Sequence, residues 1–376
     1  LFIFKIGVAQ DKQNALNENN STFHSTIVTI PLEDGAKMKA RLCYPYSNII
    51  KQVVIYIHGT GPGNYLDRRK IGNAELNYFD FFAKEFVSRE VAFVSYNKRG
   101  CDTSMMPPYY NKLDSVAYRK CLPVQETKDL GSLIQYLKND PRIAGSKIVL
   151  LGWSEGTIIA AMAAETFKND IAALFLAGYA NDNMLDIIDW QFSGESSMIN
   201  TLKYFDADSN RMISRQEYES KEKRPAYMRE SIFGNADFSQ LDVNRDSLIN
   251  KDDFKLINEP RHKMLLNAVE KNDDLWIWNN YFQVTSQWIK EHSALEANKS
   301  RLLRLELPIL IFQGEDDANT PATGVTDIQQ RFWLNNKLNL KSFIFKGHNH
   351  DLNYQQWVFQ GKISEGLGQL FNSTGK

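Results

Sequence analysis

Cysteine, net charge and long apolar runs are all scarce in this chain, and each scarcity excludes something. Three cysteines in 376 residues cannot frame a disulfide scaffold. One of Cys43, Cys101 and Cys121 must stay unpaired within the chain. Cys101 and Cys121 could bridge the loop between them, but free thiols are the expectation. With 44 basic against 45 acidic side chains the net charge is −1, without the basic excess of a nucleic-acid binder. No stretch reaches the roughly 18–20 apolar residues that a membrane-spanning helix needs. What is present is 43% apolar and 24% charged residues, the balance of a globular chain with a sizeable core, which excludes disorder and collagen. At about 150 residues per domain the length suggests two or three units, or one large α/β domain carrying an insertion.

Residues 1–24 form a segment of their own. An apolar start, Leu-Phe-Ile-Phe-Lys-Ile-Gly-Val-Ala-Gln, gives way to a polar stretch rich in Asn, Asp and Lys. The pattern reads as the end of a signal-peptide apolar region with a cleavage point near Gln10. The expected location is therefore secreted or periplasmic.

Two alternating segments, 26–32 and 38–44, flank the turn Glu33-Asp34-Gly35 and read as an antiparallel hairpin. Beyond it, short and nearly continuous apolar runs at 53–57, 91–96, 147–151 and 171–176 are strands buried on both faces. Helical patterns lie between them at about 76–89, 124–138 and 154–166. The rhythm predicts an α/β protein with a doubly wound, mostly parallel sheet. It stops near Ala180 and resumes with a strand at 308–312, a helix near 326–338 and a strand at 341–345. An interruption that long is no ordinary loop. The expected organisation is a catalytic domain over 25–180 and 307–376, split by a helical cap at 181–306.

The strand at 147–151 runs into Gly152-Trp153-Ser154-Glu155-Gly156 and then a helix. This is G-x-S-x-G between a strand and a helix, the setting of a nucleophile elbow. A serine hydroxyl needs a base to take its proton and a carboxylate to hold that base, in the chain order Ser, acid, His. The strand at 308–312 leads to Gly314-Glu315-Asp316-Asp317, and the strand at 341–345 to Gly347-His348-Asn349-His350. Asp317 is favoured over Asp316, and His350 over His348, because each lies three residues past its glycine and can turn back toward the serine. Two backbone N–H groups must hold the developing oxyanion. Glu155, directly after the nucleophile, supplies one. The glycine-rich loop His58-Gly59-Thr60-Gly61-Pro62-Gly63 supplies the other, from Thr60 first and Gly61 second. The remaining histidines, His24, His58, His262 and His292, read as surface or packed residues.

Together the His58–Pro62 loop, the turn Tyr96-Asn97-Lys98-Arg99-Gly100, the elbow and the two distal strand ends resemble the α/β-hydrolase superfamily. More narrowly they are similar to bacterial serine esterases related to dienelactone hydrolases and to the prolyl-oligopeptidase catalytic domain. The resemblance covers about 52–191 and 307–370, and implies an eight-stranded sheet and an acyl-enzyme mechanism. Asn97 and Asp102 stand where relatives usually carry Asp and Gly, and the segment after Pro62 is longer than usual.

Inside the interruption, at about 194–265, two twelve-residue stretches begin at Asp206 and Asp242. Oxygen donors fall at positions 1, 3, 5, 9 and 12. In the first these are Asp206, Asp208, Asn210, Ser214 and Glu217. In the second they are Asp242, Asn244, Asp246, Asn250 and Asp253. The carbonyls of Met212 and Leu248 stand at position 7. A hard cation with six or seven oxygen ligands needs this spacing, and the pair resembles an EF-hand pair. Arg211 and Ser247 replace the usual position-6 glycine, at about 1 kcal/mol of strain each. Asp253 is one methylene shorter than the usual glutamate, so the first loop is expected to bind more tightly. Calcium, structural rather than chemical, is the one cofactor expected, with no organic group.

These readings converge on a serine hydrolase acting on a small ester or related acyl substrate. Two alternatives remain: an acyl-peptide hydrolase or exopeptidase, and a calcium-responsive binding protein on a hydrolase scaffold. The aromatic stretch 275–282, with Trp288, is expected to be packed core or an apolar wall for the acyl group.

Overall fold

The computed structural model describes residues 23–46, 50–106 and 110–374. The apolar start and its expected cleavage point near Gln10 lie outside the described residues. Eight strands form the central sheet: β1 (His24–Pro31), β2 (Lys37–Tyr44), β3 (Gln52–Ile57), β4 (Ala92–Tyr96), β5 (Lys147–Trp153), β6 (Ile171–Ala177), β7 (Ile309–Gly314) and β8 (Leu340–Phe345). Their spatial order is β1-β2-β4-β3-β5-β6-β7-β8. β2 pairs antiparallel with β1 and β4, and every other neighbouring pair is parallel.

The two-sided burial of the middle strands explains their unbroken apolar runs. In β3, Val53, Ile55 and Ile57 join one core with Leu130, Leu133 and Ile134, from the helix α1 (Pro123–Asn139), and Ile158 and Ile159, from α2 (Gly156–Thr166). Val54 and Tyr56 point the other way, into a core with Phe79, Phe82 and Phe86 of the helix Tyr78–Val87 and with Leu370 and Phe371 near the C-terminus. The same period-2 split divides Ile148 and Leu150 from Val149 and Leu151 in β5. Fully burying each such side chain contributes about 1.5–3 kcal/mol, so the sheet is a rigid platform for the loops at its carboxyl end. The helix expected from 76 starts instead at Tyr78. Leu76 and Asn77 are taken by a small antiparallel hairpin, Arg68–Ile71 with Ala74–Asn77, built from the long segment after Pro62.

Between β6 and β7 the regular structure of the described chain is helical, from Met184–Phe192 to Asn298–Leu302, apart from the short strands Ile213–Ser214 and Leu248–Ile249. Part of it has its own small core of Met198, Phe205, Ile213, Tyr218, Phe238, Ile249 and Phe254. No helix among the described residues is long and apolar enough to cross a membrane.

Candidate active site

The carboxyl ends of β3 and β5 lie side by side where the chain winds outward in both directions, the place at which open α/β sheets form crevices. Ser154 follows β5 with φ of +57°, a left-handed backbone that costs a non-glycine residue of order 1–3 kcal/mol. Its N–H donates to the Ala177 carbonyl at 2.9 Å. A Cβ on Gly156 would lie 2.3 Å from the Ile57 carbonyl oxygen, and one on Gly152 would lie 2.3 Å from the Gly156 carbonyl oxygen. Gly156 is therefore required by close packing of the turn against β3, and Gly152 by the tight return of the turn onto its own strand.

Asp317, in the loop after β7, is fully buried. Its Oδ1 accepts from the Asn319 and Thr320 amides at 2.8 and 3.0 Å. Its Oδ2 accepts from Gln313 Nε2, Thr320 Oγ1 and His350 Nδ1 at 2.8, 2.9 and 2.8 Å. Burial alone would raise this carboxyl, but His350 and the donated hydrogen bonds outweigh it and hold it below the usual range. Burial pulls the His350 imidazole down, and the Asp317 charge more than reverses that, so its pKa is raised. The His350 ring lies over Gly178, where a Cβ would come within 2.6 Å of Cε1. The Trp153 indole N–H donates to the His350 carbonyl at 3.2 Å.

His348 faces elsewhere: its Nδ1 meets the Lys346 carbonyl at 3.1 Å and its Nε2 accepts from the Gly366 amide at 3.3 Å. Asp316 reaches outward to Lys203 at 3.5 Å.

Ser154, His350, Thr60 and Glu155 line one cavity of about 320 Å³. Among the described residues, the backbone N–H groups of Thr60 and Glu155 have no hydrogen-bond partner. The loop that carries Thr60 is anchored by His58, whose Nε2 donates to the Tyr96 carbonyl at 2.7 Å. Burial, with the Lys98 charge, lowers the His58 pKa to about 4, so the ring is a neutral anchor. Met184, Ile187, Tyr281 and Phe282 form an apolar wall. The aromatic stretch thus divides: Tyr281 and Phe282 face the cavity, Ile277 and Trp288 are buried, and Leu275 is exposed.

Arg69 and Asp67 also line the cavity, and nothing local in the sequence marks them. The Arg69 guanidinium is 3.7 Å from the Tyr78 ring centroid and 2.7 Å from Asp67. Cys43, Cys101 and Cys121 are free and buried.

The chain has the α/β-hydrolase fold. It matches a highly thermostable carboxyl esterase from Bacillus coagulans with a TM-score of 0.52 at 13% identity, over 93% of this chain and 98% of that one. An esterase from Pyrococcus furiosus gives 0.50 at 13% identity, over 98% and 99%. A Bacteroides ovatus protein assigned as a dipeptidyl aminopeptidase IV gives 0.49 at 13% identity; 95% of this chain aligns, spanning only 36% of the other. No protein-family model matches the sequence, nor does any curated protein.

In the helical segment between β6 and β7, Ile213–Ser214 pairs antiparallel with Leu248–Ile249, which joins the two acidic loops back to back. Arg211 and Ser247 adopt φ of +65° and +69°, the conformation that a glycine takes without strain. Carboxylate oxygens of Asp206, Asp208 and Glu217 lie within 4.8 Å of one another. Glu217 closes the first loop on the Ala207 and Ser214 amides at 2.9 and 2.8 Å. Asp253 closes the second on the Asn244 and Asn250 amides at 3.1 and 2.9 Å. Asn210 Oδ1 accepts from the Met212 amide at 2.7 Å, and Asp246 Oδ1 from the Leu248 amide at 2.9 Å. Asp242 Oδ1 is buried without a partner.

Proposed function

We propose that this chain is a serine hydrolase that cleaves an ester or related acyl bond through an acyl-enzyme. The observation that carries this reading is the buried Asp317–His350 hydrogen bond beside a strained serine in one cavity. His350 Nε2 takes the proton as Ser154 Oγ attacks the acyl carbon. The resulting oxyanion rests on the Thr60 and Glu155 amides, and the α2 dipole adds to that field. His350 then gives the proton to the leaving oxygen or nitrogen as its bond to carbon breaks. Water, deprotonated by the same imidazole, releases the acid and regenerates Ser154. The apolar wall of Met184, Ile187, Tyr281 and Phe282 suits an apolar acyl chain, on an ester or an amide alike.

Calcium in the two joined loops belongs to the same reading. The residues fit it: an oxygen-only donor set, a back-to-back loop pair and the orphaned Asp242 oxygen. Asp206, Asp208, Asn210, Ser214 and Glu217, with the Met212 carbonyl, would hold one ion. Asp242, Asn244, Asp246, Asn250 and Asp253, with the Leu248 carbonyl, would hold the other. The ion supplies structure there and enters no step of the reaction. A fluorophosphonate probe tests the hydrolase reading. It should label the wild-type chain and fail on Ser154→Ala; equal labelling of both would refute the nucleophile.

A further inference from the structure

The reaction just described uses none of the charged side chains packed behind the oxyanion loop. Lys98, Glu126, Glu155 and His292 are all at most 3% exposed. Burying an ammonium or a carboxylate costs several kcal/mol per ion, unless geometry and hydrogen bonds offset it. Here they are tightly arranged. Lys98 Nζ donates to the Gly59 carbonyl at 2.8 Å and lies 3.3 Å from Glu126 and 3.5 Å from Glu155. Glu155 Oε1 accepts from Trp288 Nε1 at 2.9 Å and meets His292 Nε2 at 2.8 Å. Trp288 and His292 belong to the helix Ser286–Ala294, in the segment between β6 and β7. Burial alone would raise the Glu155 carboxyl, but Lys98, His292 and Trp288 outweigh it and hold it down at about 2. Glu155 is an anion at neutral pH.

The backbone gives these contacts a chemical meaning. The Gly59 C=O and the Thr60 N–H are opposite ends of one planar peptide unit and point in opposite directions. An ammonium held on that carbonyl, on the buried side, turns the Thr60 N–H toward the cavity and polarises it. The second partner of the same ammonium is the side chain of Glu155, whose own backbone N–H is the other oxyanion donor. One buried cation therefore touches both halves of the oxyanion site, and neither contact involves substrate.

We propose that Lys98 and the Glu155 carboxylate are a positioning pair that aims both oxyanion donors, locked in place by Trp288 and His292. The proposal rests on the reading of Ser154 as nucleophile. It makes the helix Ser286–Ala294 a fixed part of the oxyanion site and not a lid that lifts away from it.

The test compares Trp288→Phe, His292→Leu, His292→Gln and the charge-neutral double variant Lys98→Met/Glu155→Gln with wild type. Readouts are kcat and KM on a p-nitrophenyl ester, the melting temperature and inhibition by a phenylboronic acid. The boronate's tetrahedral adduct on a serine carries an anionic oxygen into the oxyanion site. Losing one oxyanion donor lowers kcat by about 10²–10³-fold, and misaiming it by about 1 Å costs about 10²-fold. The expected result is a kcat loss of about 10–100-fold in Trp288→Phe and His292→Leu, with KM within about twofold. The boronate Ki should rise in step with the kcat loss, His292→Gln should recover most of it by restoring a donor, and the double variant should fall furthest. Variants that melt earlier while keeping kcat and Ki would make the network purely structural and overturn the proposal. If the probe labels Ser154 yet the variants match wild type, the positioning pair alone fails. If wild type is neither labelled nor active, the reading beneath it fails and takes the pair with it.

Discussion

His350 Nδ1 lies 2.8 Å from Asp317 Oδ2, at a carboxylate with no exposure to solvent that receives four further hydrogen bonds. Asp317 raises the His350 pKa above 6.5. His350 must be neutral to accept the Ser154 proton, so activity is lost as pH falls through that raised value. The kcat/KM profile should therefore have its acid midpoint above pH 6.5. Asp317→Asn removes the charge that raises it, moving the midpoint down and cutting kcat by about 10⁴-fold. A wild-type midpoint well below 6.5, or one unmoved in Asp317→Asn, would count against the pair.

The neighbouring histidine offers a control. His348 spends both ring nitrogens on backbone groups, the Lys346 carbonyl and the Gly366 amide. His348→Ala leaves a nearly buried amide without its acceptor, which costs about 1–3 kcal/mol. It should lower the melting temperature while keeping turnover within a few fold. His350→Ala should abolish turnover whatever it does to melting, because it removes the base. The reverse pattern would exchange their roles.

The difference between these residues and the network behind them explains how much was legible in the sequence. Ser154 and Asp317 follow unbroken apolar runs, and His350 follows the mixed segment 341–345. The alternation with helical patterns places each of the three at a strand end. The double-sided burial of β5 and β7 makes their runs unbroken in the first place. Lys98 and Glu155 also follow strand ends, but nothing there pairs their side chains, and His292 carries no mark at all. Their contacts join positions 57 and 137 apart in the chain, and a lone lysine or histidine has no local pattern. His292 accordingly reads as an ordinary packed residue until Glu155 is found beside it. The small hairpin ahead of Tyr78 was hidden for a similar reason. Leu76 fits a helical face and a strand equally well, and pairing with Arg69 decides between them.

Calcium removal is a separate test. The helix Glu195–Phe205 leads into the first acidic loop and also braces the loop of Asp317: Ser196 Oγ donates to the Ala318 carbonyl at 2.5 Å, and Lys203 lies 3.5 Å from Asp316. A ligand at a hundredfold excess over its Kd stabilises a fold by about 2.7 kcal/mol. A chelator should therefore lower the melting temperature by a few degrees. Calorimetric titration of calcium should detect binding that Glu217→Gln weakens at one site and Asp242→Asn at the other. Unchanged melting together with no binding heat would remove calcium from the account.

The apolar wall makes the last prediction quantitative. Met184 and Ile187 come from the helix that first leaves the sheet after β6, and Tyr281 and Phe282 close the cavity from further along the same segment. Each methylene moved from water onto such a wall is worth about 0.8 kcal/mol, a factor of about four in kcat/KM. Across p-nitrophenyl acetate, butyrate and hexanoate, kcat/KM should therefore climb by up to about sixteenfold per step of two carbons, then level off once the cavity of about 320 Å³ is filled. Ile187→Ala should move that plateau to longer chains, and Ile187→Trp to shorter ones, with the acetate rate changing least because its acyl group hardly reaches the wall. A chain-length profile that is flat in wild type, or that ignores both substitutions, would place the acyl group away from this wall and leave it to the leaving group.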